Sequence, residues 1–131
     1  MNSWKLDQSC KYAKSDEWIR VEGDQATVGI TDYAQDKLSD LVFIELPKIG
    51  AKFAAGRSFG VVESVKAAAD LNMPVGGEII EVNLDLGAAP ETINHDAFGK
   101  GWVIRIKGFD SLELNALMDA ATYETYCNER G

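Results

Sequence analysis

The sequence predicts a mainly β protein, a flattened β-barrel or sandwich of two small sheets with one short helix and a C-terminal helical segment. Three observations predict it. Short runs rich in Val, Ile and aromatic residues recur along the chain, as in EWIRV, LVFIEL, SFGVVES and EIIEVN. Glycine, proline, aspartate and asparagine punctuate the stretches between them. Helical signals are confined to a short stretch after the first strand pair and to the C-terminal part of the chain.

The elements follow in order. Residues 17–21 and 26–30 flank Gly23-Asp24 and predict a hairpin. Thr31 and Asp32 both suit a helix N-cap, and Gln35 stands three residues after Asp32 as in a capping box, so YAQDKL predicts a helix over 32–38. Residues 41–46 form the next strand, ended by Pro47 and Gly50, because proline has no N–H to give to a ladder. SFGVVES at 58–64 is a strand by composition. Pro74-Val75-Gly76-Gly77 leads into a strand at 78–83, and its glycines predict a turn with positive φ. LDLGAAPETIN at 84–94 is a mixed loop or short helix, and GWVIRIKG at 101–108 alternates as a half-buried strand does. Leu114, Leu117, Met118 and Ala121 recur at helical spacing and predict a helix over 111–127 docked by one apolar face. Trp102 and the Leu114, Leu117 and Met118 stripe are assigned to the core.

A chain of 131 residues with 46% apolar content builds one ordinary core, so a single domain over 1–131 is expected. The 21 acidic residues outnumber the 13 basic ones and leave a formal charge of −8. Such a surface repels a phosphate backbone, which argues against nucleic acid, and disfavours self-association, which predicts a monomer. No apolar run approaches the roughly 20 residues that span a bilayer, so no membrane partner is expected. MNSWKLDQSCKYAKSDEW has neither the apolar stretch of a secretory signal nor the Arg-rich, acid-poor character of a transit peptide. The expected location is the cytoplasm, or the mitochondrial matrix if the source is eukaryotic. Cys10 and Cys127 lack CxxC spacing and are expected as reduced thiols. One histidine, His95, supplies too few ligands for a zinc set, and no Ser/His/Asp or Cys/His pattern stands out. His95 is assigned to hydrogen bonding in a loop, Lys37 to a helix surface, and catalysis by side chains alone is not expected.

One segment carries chemistry. GVVESVKAAAD, residues 60–70, sets Lys66 between β-compatible runs, with Ala67, Ala68 and Ala69 immediately after it. A lysine in a turn is, taken alone, a solvated charge. A lysine midway between the strands at 58–64 and 78–83 is instead suited to a hairpin tip, where a rigid support presents one ammonium to a modifying enzyme. Biotinyl carriers usually flank that lysine with methionines, whereas Val65 and Ala67 flank it here. The lipoyl domains of 2-oxo acid dehydrogenase acyltransferases usually have Asp before it.

ESVKAAAD is similar to the lipoylation motif of glycine cleavage H proteins, and DEWIRVEGDQATVGITDYAQ, LSDLVFIELPKIGAKF and NHDAFGKGWVIRIK extend the resemblance over residues 12–125. It implies a lipoyl-domain-like barrel-sandwich hybrid with its lysine hairpin at about 58–83, and lipoic acid on Lys66 as N6-lipoyllysine. It implies a carrier, not an enzyme. A PLP-dependent glycine decarboxylase would load an aminomethyl group, and a tetrahydrofolate-dependent aminomethyltransferase would remove it. Dihydrolipoamide dehydrogenase would reoxidise the arm, and a lipoyl ligase or transferase would install it. Ser15, Glu17 and Asp70 match positions of the family's docking cleft, each with a cap or solvated acid as its plainer reading. Glu63, three residues before Lys66, is either read by the ligase or a solvated strand-end acid. Asp16 stands where H proteins typically have His, and Ala97-Phe98-Gly99 where they have Pro-Tyr-Gly. A lipoyl relay to other acceptors or to sulfur metabolism is the alternative within this chemistry, and a biotin carrier the alternative outside it.

Overall fold

A computed structural model describes residues 3–131. The chain runs β1 (Lys11–Tyr12), β2 (Glu17–Glu22), β3 (Gln25–Ile30), α1 (Asp32–Leu38), β4 (Leu41–Glu45), β5 (Lys52–Phe53), β6 (Ser58–Ser64) and β7 (Ala68–Asn72). It continues through β8 (Gly77–Val82), α2 (Asp85–Ala88), α3 (Thr92–His95), β9 (Ile104–Lys107), a 3₁₀ turn (Ser111–Ala116) and α4 (Ala120–Arg130). Among the described residues these strands make two antiparallel sheets, one in the order β1-β2-β3-β9-β8-β5 and the other in the order β4-β6-β7. The mainly β sandwich expected from the sequence is therefore present, with its short helix and C-terminal helix.

Alternation decides which face of each strand goes inward. Ile19, Ala26, Val28, Ile104 and Ile106 of the larger sheet meet Ile44, Val62 and Leu71 of the smaller one in the main core. A second core of Cys10, Tyr12, Trp18, Tyr33, Ala120, Tyr123 and Cys127 is gathered where α4 docks. Each large apolar side chain buried in this way contributes about 1.5–3 kcal/mol. Trp18 is completely buried, and its indole N–H lies 3.1 Å from the carbonyls of both Ile30 and Ala97. Phe98 packs its ring against Tyr12 and Trp18, so Ala97-Phe98 belongs to this second core.

The structure corrects some expectations and decides between the alternatives of another. The lysine hairpin does not extend over 58–83: β6 turns back into β7, with Glu63 opposite Ala68, while β8 joins the other sheet beside β5 and β9. AADLN is poor in β-formers, and pairing with β6 overrides that weak local preference. The predicted stripe of Leu114, Leu117, Met118 and Ala121 is not one helix face. Leu114 lies on the 3₁₀ turn, Met118 bridges to Tyr12, and α4 buries Ala120, Tyr123 and Cys127 instead. Gly76 and Gly77 do not take positive φ; an added Cβ on Gly77 would sit 3.0 Å from the Lys107 carbonyl, so close backbone approach is what requires glycine. The N-cap of α1 is Thr31, whose hydroxyl accepts from Ala34 N–H, while the Gln35 amide donates to Asp32. His95 is exposed at the end of α3, not in a loop.

Candidate functional site

Lys66 is exposed in the turn, residues 65–67, that joins β6 to β7. Neither Val65 nor Lys66 takes the positive φ that tight hairpins favour. Ser64 supplies the missing restraint. Its hydroxyl accepts from the N–H groups of Lys66 at 3.2 Å and Ala67 at 3.0 Å, and lies 3.1 Å from the Ala67 carbonyl as donor. That exhausts a hydroxyl's one proton and two lone pairs. Val65 N–H adds a bond to the Asp40 carbonyl, which ties the tip to the start of β4. Among the described residues, no hydrogen bond or ion pair involves the Lys66 ammonium.

Beside the hairpin lies a cleft of about 210 Å³. Ser15 and Glu17 enter it from β2 and the turn before it, and Ala69 and Asp70 from β7, while α1 closes the other side. Helix spacing explains the last wall: Tyr33 and Lys37, like Ala34 and Leu38, are four residues apart and share a face. Asp70 is four residues along the strand from Lys66, about 13 Å at strand rise. The structure thus brings Ser15, Glu17 and Asp70 together. Glu63 is apart from them, exposed on β6 with Ala68 and Phe43 as its cross-strand neighbours.

Glu17 is the chemical centre of the cleft. It is 2% exposed; one carboxylate oxygen takes the Ser15 hydroxyl, and the other accepts from Asn72 N–H at 3.0 Å. Burial pushes its carboxyl up to about 7, partly opposed by those two hydrogen bonds and assisted by the neighbouring Asp16 charge. Such a group is divided between its two protonation states near neutrality, and any cation brought beside it shifts it toward carboxylate. Sequence reasoning missed Asn72, Ser64 and Tyr33, and singled out Asp16 only as a departure from the family's pattern. The 33/37 and 34/38 spacing on α1 could have revealed the helix wall; no local pattern announces the backbone of Asp16, whose φ of 77° is a property of the fold.

Four larger grooves, of about 380, 460, 440 and 410 Å³, hold none of the predicted site residues. One is lined by Lys52, Glu78 and Lys107, and another by the N-terminal segment, Asp32 and His95.

Two small sheets, a lysine-bearing hairpin and a docked C-terminal helix define a barrel-sandwich domain. The family model described as glycine cleavage H-protein matches residues 10–130. The chain is 52% identical over 120 residues to the glycine cleavage system H protein of Idiomarina loihiensis, covering 91% of this chain and 93% of that one. It is 46% identical over 119 residues to the mitochondrial glycine cleavage system H protein 2 of Arabidopsis thaliana, covering 91% and 76%. The crystal structure of a glycine cleavage system H protein from Mycobacterium marinum superimposes with a TM-score of 0.83 at 35% identity, covering 92% and 98%. The chain belongs to the glycine cleavage H-protein family. Among the described residues no helix is long and apolar enough to cross a membrane.

Proposed function

We propose that this chain acts as one carrier domain that holds lipoic acid on Lys66 as N6-lipoyllysine. It receives the aminomethyl group of glycine from glycine decarboxylase and yields it to aminomethyltransferase. It then passes reducing equivalents to dihydrolipoamide dehydrogenase, and a lipoyl ligase or transferase installs the arm. The observation that carries this reading is the exposed, braced Lys66 on the same hairpin as an acid-lined cleft.

The residues present fit such an arm. Ile30, Leu38, Val62 and Leu71 give the cleft apolar walls, and Ser15, Glu17 and Asp70 give it polar groups. The bound disulfide supplies the redox and group-carrying chemistry; the protein supplies position and shelter. Apolar walls exclude water from whatever rests between them. The Glu17 and Asp70 carboxylates favour a cationic amine over a neutral end group, and a cation beside Glu17 lowers its pKa, so loading releases part of a proton from the cleft. Glu63 is exposed beside the tip, where an installing enzyme can read it. No side chain here is asked to break a bond, and the chain works as a carrier subunit. Relatives named as H proteins of the glycine cleavage system favour this role over lipoyl relay.

The test is reconstitution with the three enzymes and this chain as the sole carrier. Glycine-dependent formation of methylene-tetrahydrofolate that saturates with added carrier is the expected result. No turnover with fully lipoylated protein would refute the reading.

A further inference from the structure

Asp16, one of the positions at which the chain departs from the pattern of the family it resembles, has one of the two left-handed backbones among the described non-glycine residues, with φ of 77°. An L side chain holds that conformation only where its surroundings fix it. Here they do. Asp16 N–H bonds the Ala13 carbonyl at 3.0 Å, and its own carbonyl accepts from Thr31 N–H at 3.0 Å. The carboxylate receives both prongs of the Arg130 guanidinium, at 2.7 and 3.1 Å, and the Tyr123 hydroxyl at 2.7 Å. Tyr123 spends its one proton on Asp16, so Thr31 must donate to Tyr123 across their 2.7 Å contact while it caps α1. The Arg130 guanidinium also lies 3.8 Å over the ring of Tyr126 and 4.3 Å over that of Tyr33, which lines the cleft.

We propose that Arg130 and Tyr123 act through Asp16 as positioning residues for the cleft. They lock the corner that turns Ser15 and Glu17 inward, and they cancel the Asp16 charge, so that Glu17 and Asp70 set the cleft's negative charge. This deepens the carrier reading and rests on it only where the cleft is taken to hold a cationic group.

Ser15 and Asp16 are near neighbours of Glu17 in sequence, Asn72 N–H bonds it from β7, and Asp70, Tyr33 and Lys37 line the same cleft, with the Lys37 ammonium turned to the Gly131 carbonyl. Asp16 is the acid that raises the Glu17 pKa by its charge, and the fork-to-fork pair with Arg130 offsets that charge. Without Arg130, an uncompensated Asp16 should drive Glu17 further toward its neutral form.

The experiment titrates the Glu17 carboxyl by carbon NMR in protein without lipoate, from about pH 5 to about pH 9, so that it is independent of carriage. Arg130→Met should raise the midpoint by about half a unit or more. Adding Asp16→Asn in that background should restore it, since a merely structural loss would not be repaired by removing a charge. Arg130→Lys should shift it less than methionine does. If Arg130→Met fails to fold, Tyr123→Phe and Arg130→Lys decide the matter, each with a smaller upward shift expected. An unchanged midpoint in folded variants, or a shift that Asp16→Asn does not reverse, overturns the proposal. If the midpoints move as expected but the loaded arm of lipoylated Arg130→Met lives as long as that of the parent, the clasp stands and the carrier reading of the cleft falls.

Discussion

Glu17 on β2 accepts a hydrogen bond from the backbone N–H of Asn72 on β7 at 3.0 Å, so a single carboxylate ties the edge of the lysine hairpin to the larger sheet. The Ser15 hydroxyl satisfies its other oxygen. Among the described residues no buried side-chain polar atom lacks a partner, which is what permits a carboxyl to sit in so dry a place. The same group is thereby a structural tie and a titratable one.

Stability should depend on pH through Glu17. Burial lifts its carboxyl from an ordinary 4.5 to about 7, so the folded state binds this proton more tightly than the unfolded chain does. The folded value is the higher one, so the stability that Glu17 contributes is fully present below 4.5 and is lost as pH rises through about 7. Melting temperature should fall by a few degrees from about pH 5 to about pH 8, and the fall should be smaller in Glu17→Gln, whose amide oxygen still accepts from Asn72. Calorimetry at both pH values checks this, and equal slopes in the two proteins would contradict it.

Charge in the cleft should prolong the loaded state. Glu17→Gln with Asp70→Asn keeps shape and removes two carboxylates, so loss of about 1 kcal/mol of attraction for a cationic amine should shorten the aminomethylated lifetime roughly fivefold without folate. Lipoylation itself should be unaffected. Release of formaldehyde and ammonia at the parent rate would show that these carboxylates do not hold the loaded arm.

The tip should loosen without Ser64. Ser64→Ala removes the hydroxyl that braces Lys66 and Ala67, at a cost of about 1 kcal/mol, and a less ordered lysine should be acylated more slowly by the ligase. Denaturant unfolding and single-turnover lipoylation give the two readouts. An unchanged acylation rate would mean that the brace does not matter to recognition.

Packing at Gly29 should admit no side chain. A Cβ there would lie 2.5 Å from a ring carbon of Trp18, whose indole is fixed by its own hydrogen bonds and cannot yield. Gly29→Ala should cost about 2–3 kcal/mol in denaturant unfolding; a loss below about 0.5 kcal/mol would show that Trp18 can move.

The strands from 17 to 30 and from 58 to 64 were legible because alternation and turn residues agree there with the fold. So was the position of Lys66, since it depends on a short run of residues. The return strand Ala68–Asn72 was not legible: its alanines, Asp70 and Asn72 have weak β preference, and only pairing to β6 makes them a strand. The C-terminal stripe misled for a related reason. Leu114 and Leu117 do pack on the main core, but from a 3₁₀ turn and the link after it, while α4 presents tyrosine and cysteine inward. In the cleft, Ser15, Glu17 and Asp70 came from resemblance. The bond from Asn72 to Glu17 joins residues 55 positions apart and the Arg130 clasp on Asp16 joins residues 114 apart, separations that no local pattern encodes.

In the proposed function Lys66 alone carries the arm. Peptide mapping by mass spectrometry, on wild-type and Lys66→Arg protein from lipoate-replete cells, tests it most directly. Arginine keeps the positive charge at the tip, but its guanidinium stays protonated and cannot be acylated by the same chemistry. A solvated tip makes few packing contacts, so the melt should shift by no more than about 0.5 kcal/mol of stability. A lipoyl group is expected on the peptide containing Lys66 in the wild type, and none anywhere in a well-folded Lys66→Arg protein. A lipoyl group on any other lysine, or on the arginine variant, would contradict that assignment.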